Sequence, residues 1–357
     1  MRWIFLCLLF WGCGWGAAAE EGRPPDSAAV EKAVARGIDY LVTRQHSNGV
    51  IVATAPPSET HATALTGLSM MALLAVGHRP TDDTPAGQVL RKALDYLLAA
   101  KRQDPTGYYG SSDDSRMYGH GIMTLVLAEM LGMGVDVRQD ALIRERCQKA
   151  VDLIVRAQKV AKPSRFKGGW RYSPVEGDAD LSVTVWQVMA LRAAKNAGLT
   201  VPKDTIDEAI DYLKRSYASP RDKTGRIENF KSGFAYQPGS GPTYAMAAAG
   251  LLALQVCGDY DAPELTGTTD WLQEFKPKTA SGAYFYYGTY YYAQGMYQRG
   301  ETAARAAQTY VERLLLAEQK EDGRWQGAGE YASPIYGTAL AILSLSVRHH
   351  FLPIYQR

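Results

Sequence analysis

The sequence has no excess of charge of either sign. It contains 39 Lys and Arg residues against 37 Asp and Glu residues, which gives a formal net charge of +2 at neutral pH. Such a balance offers no electrostatic attraction for nucleic acid or for an anionic membrane surface, and the basic residues are dispersed rather than grouped into runs. We therefore predict that the protein has no nucleic-acid partner.

Cysteine is scarce, with four residues in a chain of 357. Two of them fall within the first 19 residues, and the other two are Cys147 and Cys257. Because no Cys-x-x-Cys pair is present, neither a zinc ribbon nor a thioredoxin-type redox centre is predicted. We expect two buried free thiols in so large a core, although a single disulfide between Cys147 and Cys257 is left open.

The common sequence signatures of catalysis and cofactor binding are missing as well. There is no Gly-x-Ser-x-Gly, no Gly-x-x-x-x-Gly-Lys-Ser/Thr and no glycine fingerprint of a dinucleotide-binding fold. The alternation of apolar and polar residues that is typical of strands is scarce throughout. The sequence therefore predicts no cofactor and no metal site, and it argues against a nucleotide-binding α/β fold.

The first 19 residues have the order expected of a secretory signal peptide. A short basic start is followed by a nearly continuous apolar run from Ile4 to Gly16, and three alanines then precede Glu20. We predict cleavage after Ala19 and a periplasmic or secreted location. The apolar run is short for a membrane span of about 20 residues, but its retention as an anchor is left open.

A unit of roughly 50–60 residues recurs six times, a length close to that of known helical-pair repeats. Each unit begins with apolar residues at positions i, i+3 and i+4, as on one face of an amphipathic helix. Gly37-Ile-Asp-Tyr-Leu41 and Ala93-Leu-Asp-Tyr-Leu97 show the shared core. These amphipathic helices are predicted over Lys32–Arg44, Leu90–Arg102, Cys147–Gln158, Ile206–Tyr217, Thr268–Phe275 and Thr302–Gln319.

Each unit ends with a second helix that is richer in small and apolar residues. Ala247-Ala-Ala-Gly250 is apolar all round, which is typical of a helix buried on both sides. Outer amphipathic helices that alternate with buried ones favour a closed ring, because neither terminal unit resembles the polar cap that an open solenoid needs. We predict an all-α fold, an (α/α)6 toroid that forms a single domain over residues 20–357. The inner helices are predicted over His61–Val76, Tyr118–Leu131, Asp180–Ala194, Thr243–Val256, Gly288–Tyr297 and Pro334–Val347.

A glycine-containing turn joins the two helices of a unit. A glutamine at the end of the outer helix is followed four residues later by glycine and six residues later by a bulky residue. Glycine lets the chain reverse at the helix end, and the bulky residue is predicted to fill the seam between neighbouring helix pairs. The three copies with identical spacing are Gln45-x-x-x-Gly49-x-Ile51, Gln103-x-x-x-Gly107-x-Tyr109 and Gln319-x-x-x-Gly323-x-Trp325.

This pattern of glutamine, turn, glycine and tryptophan resembles the QW-type repeat of the terpenoid cyclase and protein prenyltransferase superfamily. The likeness is greatest in Gly168-Gly-Trp-Arg-Tyr172, followed by Asp178–Thr184 and Trp186–Leu191, and it extends over residues 29–350. The resemblance implies the toroid architecture. It implies much less about chemistry, because one fold serves many functions.

Two catalytic motifs of that superfamily are incomplete here. The Asp-x-Asp-Asp acid motif of class II cyclases would place its first Asp on Asp178 and its proton-donating Asp on Asp180, but its last position is Leu181. The zinc site of the prenyltransferases uses an Asp-x-Cys pair, and neither Cys147 nor Cys257 has Asp two positions earlier. The resemblance therefore implies a scaffold with one damaged acid motif and without the zinc site.

Asp180 also fits a purely structural role, as the N-cap of an inner helix. A cap position lowers the pKa of a carboxyl group, whereas protonation of an alkene requires an acid that is still protonated when the substrate binds. His61 and His120 open inner helices too. Each can face the centre of the ring as a ligand-binding residue, or serve as an ordinary hydrogen-bonding residue.

Aromatic residues recur near the starts of the inner helices, where the N-terminal ends are expected to form one rim of the ring. Packing with hydroxyls bonded across the ring is one interpretation, and an aromatic central pocket is the other. Such a pocket suits a carbocation, a stacked sugar or an apolar chain. The candidate aromatic ligand-binding residues are Tyr118, Trp186, Tyr244, Tyr286, Tyr290 and Tyr336.

We therefore predict a binding or non-classical member of the repeat family that holds a small apolar, isoprenoid-like or carbohydrate-like ligand. Two enzymatic alternatives stay open. One is a class II terpene cyclase with Asp180 as general acid and Asp178 assisting. The other is a polysaccharide-degrading toroid, which would need two carboxylates such as Asp180 and Asp114 about 5–10 Å apart. Peripheral membrane contact and the oligomeric state are also left open.

Overall fold

Twelve α-helices and a few short 3₁₀ turns make up the part of the chain that a computed structural model describes, with isolated β-bridges in place of strands. Residues 1–19 are outside this part, so the signal peptide stays a prediction. The described residues are 25–53, 60–282, 284–327, 333–349 and 351–355.

Six of the helices form an outer layer and are buried along one side. In the helix Lys203–Arg215, for example, Thr205, Ala209, Tyr212 and Leu213 are buried while the charged residues face outward. This is the amphipathic pattern that the sequence predicted. The outer helices are α1 (Ser27–Val42), α3 (Pro85–Leu98), α5 (Val137–Gln158), α7 (Lys203–Arg215), α9 (Pro263–Phe275) and α11 (Glu301–Glu318).

The other six helices are buried on nearly every side and form an inner layer. In the helix Tyr244–Val256, every residue after the first is buried. A helix without a polar side needs neighbours all round, and the small residues Ala247 to Gly250 allow those neighbours to approach closely. The inner helices are α2 (Ala62–Ala75), α4 (Arg116–Glu129), α6 (Leu181–Asn196), α8 (Tyr244–Val256), α10 (Phe285–Gln298) and α12 (Pro334–Ser346).

The two layers close into a ring. Each inner helix contacts the next, and α12 contacts α2, so the first and last units meet. In the outer layer α1 likewise contacts α11. The prediction of an all-α toroid of six helix pairs is therefore confirmed, with the inner helices all starting at one end of the ring. We call that end the N-terminal rim.

The glutamine of the repeated turn ties each unit to the following one. The side-chain amide of Gln103 donates to the carbonyl of Gly107 in its own turn, at 3.0 Å, and to the carbonyl of Arg146 on the next outer helix, at 2.9 Å. Equivalent pairs of hydrogen bonds are made by Gln45, Gln158 and Gln319. The sequence pattern predicted the turn, and the structure adds that its glutamine connects neighbouring repeats.

The same pair of glutamine hydrogen bonds joins the last repeat to the first and closes the ring. Gln319 bonds to the carbonyl of Ala33 at 2.7 Å, and the Arg36 guanidinium donates to the carbonyl of Lys320 at 2.9 Å. Trp325 fills the seam at this point, where a Cβ atom on Gly37 would lie 2.7 Å from its ring. The last turn therefore packs on α1 as each other turn packs on its following helix.

The C-terminal segment of the described chain packs against the ring. Leu352 and Ile354 are buried, and the short helix Pro353–Tyr355 contacts α6. The backbone N–H of Ile354 donates to the Glu129 carboxyl at 3.2 Å, at the end of α4. The segment thus covers a carboxyl group that would otherwise have no partner in the core.

The structure also shows the state of the two cysteines outside the first 19 residues and the apolar length of the helices. Cys147 is buried and Cys257 is half-buried, and both are free thiols. No helix in the described ranges has the length and apolarity needed to cross a bilayer.

Candidate active site at the N-terminal rim

A central cavity of about 950 Å³ opens at the N-terminal rim. All six inner helices contribute residues from their first turns, and the loops that precede them supply the mouth. Because helix N-termini present unpaired N–H groups and partial positive charge, polar and anionic side chains are favoured at this end. These N-terminal ends lie together because the inner helices all start at the same end of the ring.

The walls of the central cavity are aromatic and its deeper part is apolar. Tyr118, Trp186, Tyr244 and Tyr336 line it, as do Tyr287 and Phe285 of α10. Leu65, Leu68, Ile122 and Met246 lie further along their helices and also contact the cavity. The lining changes from polar groups at the mouth to hydrocarbon inside, as in many small-molecule sites.

Five of the eight predicted ligand-binding residues lie on the central cavity. They are His61, Tyr118, Trp186, Tyr244 and Tyr336. The other three are not part of its lining. Whether any of the eight contacts a ligand stays a prediction.

His120 is completely buried between two repeats. Its Nδ1 accepts the backbone N–H of Tyr109 at 3.3 Å, and its Nε2 lies 3.1 Å from the carbonyl of Ala150. Burial lowers the pKa of this imidazole to about 4, so it is neutral at physiological pH. Thr66, Thr184 and Thr338 accept the equivalent backbone N–H in other units, so His120 takes the place of a threonine.

Tyr286 and Tyr290 are buried on α10 away from the cavity surface. The ring of Tyr290 stacks on Trp186 with a centroid distance of 6.0 Å, so it supports a cavity wall from behind. Tyr286 packs edge-on against Phe285. Because α10 is aromatic on nearly every side, its sequence does not indicate which tyrosines face the centre.

Asp180 is the N-cap of α6 and is fully buried. Its Oδ1 accepts hydrogen bonds from the Val183 N–H at 2.9 Å and the Ser182 hydroxyl at 2.6 Å. Its Oδ2 forms an ion pair of 2.7 Å with the Arg171 guanidinium. Asp180 itself is not part of the cavity lining, and Ser182 stands between it and the cavity.

The charge states of Asp180 and Arg171 depend on one another. Burial raises the pKa of Asp180, and the Ser182 hydroxyl, the Val183 N–H and the Arg171 guanidinium act against that rise. Burial also acts to lower the pKa of Arg171, but the adjacent Asp180 carboxylate outweighs it and the net shift is upward. The Val183 N–H and the Arg171 guanidinium can only donate, and the Ser182 hydroxyl donates its proton to Oδ1. Both oxygens of Asp180 therefore accept, which is the arrangement of a carboxylate rather than a neutral acid.

Asp178 is half-buried and lies on the other side of the same arginine. Its Oδ2 is 3.4 Å from Arg171 Nε and 3.5 Å from the Gln237 side-chain amide. Asp178 is likewise not part of the cavity lining. The structure therefore brings the two predicted acid-motif residues together on Arg171.

Tyr172 and Tyr236 line the central cavity, although the sequence analysis did not select them. Their hydroxyls are hydrogen-bonded to each other, and Tyr236 also accepts a bond of 2.6 Å from Arg171. A sequence signal was available, because Tyr172 comes two residues after the buried Trp170 and Tyr236 comes two residues after the buried Phe234. In these two repeats, the second residue after the turn aromatic reaches the cavity at the rim.

The backbone at the cavity mouth is strained. Among the described residues, the three non-glycine residues with positive φ are His61, Asp114 and Arg116, and all three line the cavity. Left-handed backbone is costly for such residues and often accompanies a functional site. Asp113 holds this arrangement, since its Oδ2 accepts the Thr63 N–H at 2.5 Å.

Carboxylates are few at the central cavity. Among its described lining residues Asp114 is the one carboxylate, and it is exposed and paired with Arg116 at 2.7 Å. The described residues also contain no group of three or more His, Cys, Asp and Glu side chains that could hold a metal ion. The arrangement offers hydroxyls, aromatic faces and apolar surface for contact with a ligand.

A second cavity of about 640 Å³ lies among α10, α11 and α12. Its buried Glu312 is paired with Arg348 at 3.4 Å and accepts a hydrogen bond from Gln308 at 2.8 Å. Among its lining residues Tyr297 is the one aromatic. Because its charged groups satisfy each other and it lies between layers, we regard the central cavity as the candidate site.

Comparison with solved structures identifies the fold. Apo MstE, a type II terpene cyclase from Scytonema, aligns with a TM-score of 0.56 at 14% identity, over 92% of this chain and 100% of that one. A variant of MstE in complex with its substrate, geranylgeranyl dihydroxybenzoate, aligns with a TM-score of 0.60 at 13% identity over 91% and 98%. The chain has the α/α-toroid fold of these cyclases, in agreement with the repeat resemblance.

Glycosidases share the same fold. A glycosidase variant in complex with glucose aligns with a TM-score of 0.57 at 12% identity, over 92% of this chain and 100% of that one. No family model matches the chain, and no curated protein matches its sequence. At such low identities the structural likeness establishes the architecture and leaves the chemistry to the site itself.

Proposed function

We propose that this protein binds a small isoprenoid-like molecule in the central cavity and does not transform it by acid catalysis. The observation that carries this proposal is the aromatic cavity of about 950 Å³ whose described lining contains a single carboxylate, paired with arginine. Apolar ligands gain affinity from the hydrocarbon surface that they remove from water. A terpene cyclase of the same fold is described in complex with a substrate that carries a geranylgeranyl chain.

The shape of the lining supports an elongated ligand with one polar end. The polar Thr60 lies at the mouth and Leu68 lies inside, and both line the same wall. Helix α2 begins at Ala62, six residues before Leu68, which corresponds to about 9 Å along the helix axis. A chain of that length can be buried among Leu65, Leu68 and Ile122, with its polar end near the hydroxyl groups of the mouth.

The environment of Asp180 argues against the cyclase alternative. A proton donor to an alkene must be neutral and must reach the substrate. Asp180 accepts hydrogen bonds on both oxygens, is paired with Arg171, and is separated from the cavity by Ser182. We infer that it caps α6 and fixes the position of Arg171 and Ser182.

Among the described residues, the carbohydrate-degrading alternative lacks the pair of carboxyl groups that it needs at the cavity. Hydrolysis of a glycosidic bond uses two carboxyl groups on opposite sides of the bond. Asp114 is at the mouth, but Asp180 is committed to Arg171 below the surface. Aromatic walls do suit a stacked sugar, so sugar binding is tested directly alongside the isoprenoid.

The test is equilibrium binding with two probes, geranylgeraniol and maltotriose, followed by the fluorescence of Trp186 and by calorimetry. We expect geranylgeraniol to bind and maltotriose not to bind. Ala64 lines the cavity, and Ala64→Phe should fill part of it and weaken binding of geranylgeraniol at least tenfold. Ala141→Phe, at an exposed position of α5, is the matched control and should leave affinity unchanged.

Two results would overturn the proposal. Binding of maltotriose without binding of geranylgeraniol would assign the cavity to carbohydrates. Conversion of a polyprene such as squalene to a cyclic product, lost in Asp180→Asn, would establish the cyclase instead.

A further inference from the structure

Three tyrosines lie next to one another at one side of the central cavity. Tyr118 starts α4, Tyr172 follows the Trp170 turn, and Tyr236 follows the Phe234 turn. The rings of Tyr118 and Tyr172 lie 5.8 Å apart between centroids, and the hydroxyls of Tyr172 and Tyr236 are hydrogen-bonded. We call Tyr118, Tyr172 and Tyr236 the tyrosine clasp, and its hydrogen-bonding capacity can be counted atom by atom.

The first count fixes the direction of the Tyr118 hydrogen bond. Ser182 donates its single hydroxyl proton to the Asp180 carboxylate at 2.6 Å. Its oxygen therefore has to accept in the bond of 2.5 Å that joins it to Tyr118, and Tyr118 has to donate. The lone pairs of the Tyr118 oxygen are then left to accept a hydrogen bond from the cavity.

The second count concerns Tyr172 and Tyr236. The Arg171 guanidinium can only donate, so the Tyr236 oxygen accepts from it at 2.6 Å. The bond between the two tyrosines uses one of their two hydroxyl protons, whichever residue donates it. One phenolic proton remains in either case, so the pair offers one donor to the cavity.

The third observation is that the arginine beside the clasp and the arginine at the cavity mouth are both paired with carboxylates. The positive charge of Arg171 is matched by Asp180 at 2.7 Å, with Asp178 at 3.4 Å on its other side. At the mouth, Arg116 is matched by Asp114. A ligand carboxylate or diphosphate would find no unpaired arginine or lysine among the described lining residues and would lose its hydration, which is costly for an ion.

We propose that the tyrosine clasp recognises a neutral hydroxyl group, so that the ligand is an isoprenoid alcohol. A hydroxyl both donates and accepts, and it matches the acceptor on Tyr118 and the donor on Tyr172 or Tyr236. This inference rests on the proposed function, since it names the polar end of the ligand that the cavity holds. The Asp180–Arg171 pair then orients the clasp through Ser182 and Tyr236 and does not itself contact the ligand.

The test uses four probes that share one chain: geranylgeraniol, its methyl ether, geranylgeranoic acid and the parent hydrocarbon. The ether can accept a hydrogen bond but cannot donate one. We expect the alcohol to bind about three- to tenfold more tightly than the ether, which is the usual effect of one neutral hydrogen bond. The acid and the hydrocarbon are expected to bind more weakly than the ether.

The variants separate the two halves of the clasp. Tyr118→Phe removes the acceptor and should abolish the preference for the alcohol over the ether. Tyr172→Phe or Tyr236→Phe alone leaves one phenolic proton for the cavity, so the donor is removed by the double variant Tyr172→Phe/Tyr236→Phe. This double variant should weaken alcohol and ether alike, so that their ratio stays as in the parent protein. Tyr260→Phe is the control, because Tyr260 is half-buried and is not part of the cavity lining.

The outcomes distinguish the inference from the function on which it rests. Equal binding of alcohol, ether and hydrocarbon would overturn hydroxyl recognition and leave isoprenoid binding intact, and preferred binding of the acid would overturn neutrality. If none of the four probes bound, the proposed function itself would fail. Melting curves for every variant show whether Tyr172→Phe/Tyr236→Phe is folded, and Tyr118→Phe tests the clasp independently of Arg171.

Discussion

Asp180 is a buried residue whose hydrogen bonds all come from groups that hold it as a carboxylate. Because Arg171 depends on it for charge balance, the two residues act as one structural unit. A buried pair of this kind costs desolvation when it forms, but the loss of one partner leaves the other uncompensated. The position of Ser182 and Tyr236 at the cavity wall depends on the same pair.

We expect Asp180→Asn to lower the free energy of unfolding by about 3 kcal/mol, because the new amide N–H group would face the Arg171 guanidinium. Urea denaturation followed by circular dichroism measures this change. Asp178→Asn, at a half-buried position, is the control and should cost about 1 kcal/mol or less. Equal losses for the two variants would show that the buried pair has no special role.

Glu129 is a buried carboxyl group whose protonation makes the stability of the protein depend on pH. Burial raises its pKa from 4.5 to about 8, and the Ile354 N–H acts in the opposite direction. The folded state therefore keeps a proton that the unfolded state releases above about pH 4.5. Stability contributed by this group falls as the pH rises from about 4.5 to about 8, with a slope of up to about 1.4 kcal/mol per pH unit.

We expect Glu129→Gln to flatten the dependence of unfolding free energy on pH between pH 5 and pH 8. Glutamine keeps an oxygen for the Ile354 N–H and has no proton to lose. The measurement is urea denaturation at a series of pH values. Glu228→Gln, at an exposed position, should keep the parent slope, and a parent-like slope in Glu129→Gln would refute the assignment.

The turn glutamine is the feature that links the repeats at the scale of elements. The described contacts show it four times, and each copy satisfies two backbone carbonyls, one in its own turn and one on the following outer helix. A buried carbonyl without a hydrogen-bond donor lowers stability, and the amide group of one glutamine supplies a donor to two such carbonyls. The sequence predicted the turn from its spacing, but the second carbonyl is some 43 residues away in the case of Gln103 and Arg146 and could not be inferred locally.

We expect Gln103→Leu to lower the free energy of unfolding by about 2 kcal/mol, because the carbonyls of Gly107 and Arg146 lose their donor. Gln88→Leu, at an exposed position of α3, is the matched control and should stay within about 0.5 kcal/mol of the parent. Thermal or urea denaturation of both variants provides the comparison. A parent-like stability for Gln103→Leu would mean that water replaces the glutamine.

Closure of the ring determines whether a central cavity exists at the scale of the whole molecule. The closing seam joins α1 to the last turn, where Trp325 packs directly on Gly37. The first and last repeats thus bury part of each other's surface at this seam. A single change at this seam should therefore affect the molecule as a whole.

We expect Gly37→Leu to lower the free energy of unfolding by at least about 2 kcal/mol, since its side chain would overlap the Trp325 ring in a packed core. Leucine is intrinsically better than glycine in a helix, so a loss can only come from packing. Ala35→Leu lies on the exposed side of the same helix and is the control. Resistance to limited proteolysis should fall together with stability in Gly37→Leu, and unchanged values in both assays would exclude a closed seam.

The sequence alone determined the class of fold, because helix periodicity and turn spacing are local properties: the helix pair recurs six times, and the identical turn spacing recurs three times. It also placed residues such as Tyr118 and Tyr336 near the starts of inner helices, and hence at one rim. Its selection of Tyr286 and Tyr290 for the pocket went beyond what it could determine, since α10 is buried on nearly every side and carries no signal for orientation.

Only the tertiary structure decided which groups share the cavity. Tyr118, Tyr172 and Tyr236 come from different repeats, and the partners of Asp180 include Arg171 on a preceding turn. The physical reason is that the direction of a hydrogen bond depends on every other bond its atoms make, and those atoms are brought together by the packing of neighbouring repeats. Periodicity along the chain specifies the ring, whereas contacts across the ring specify what it can hold.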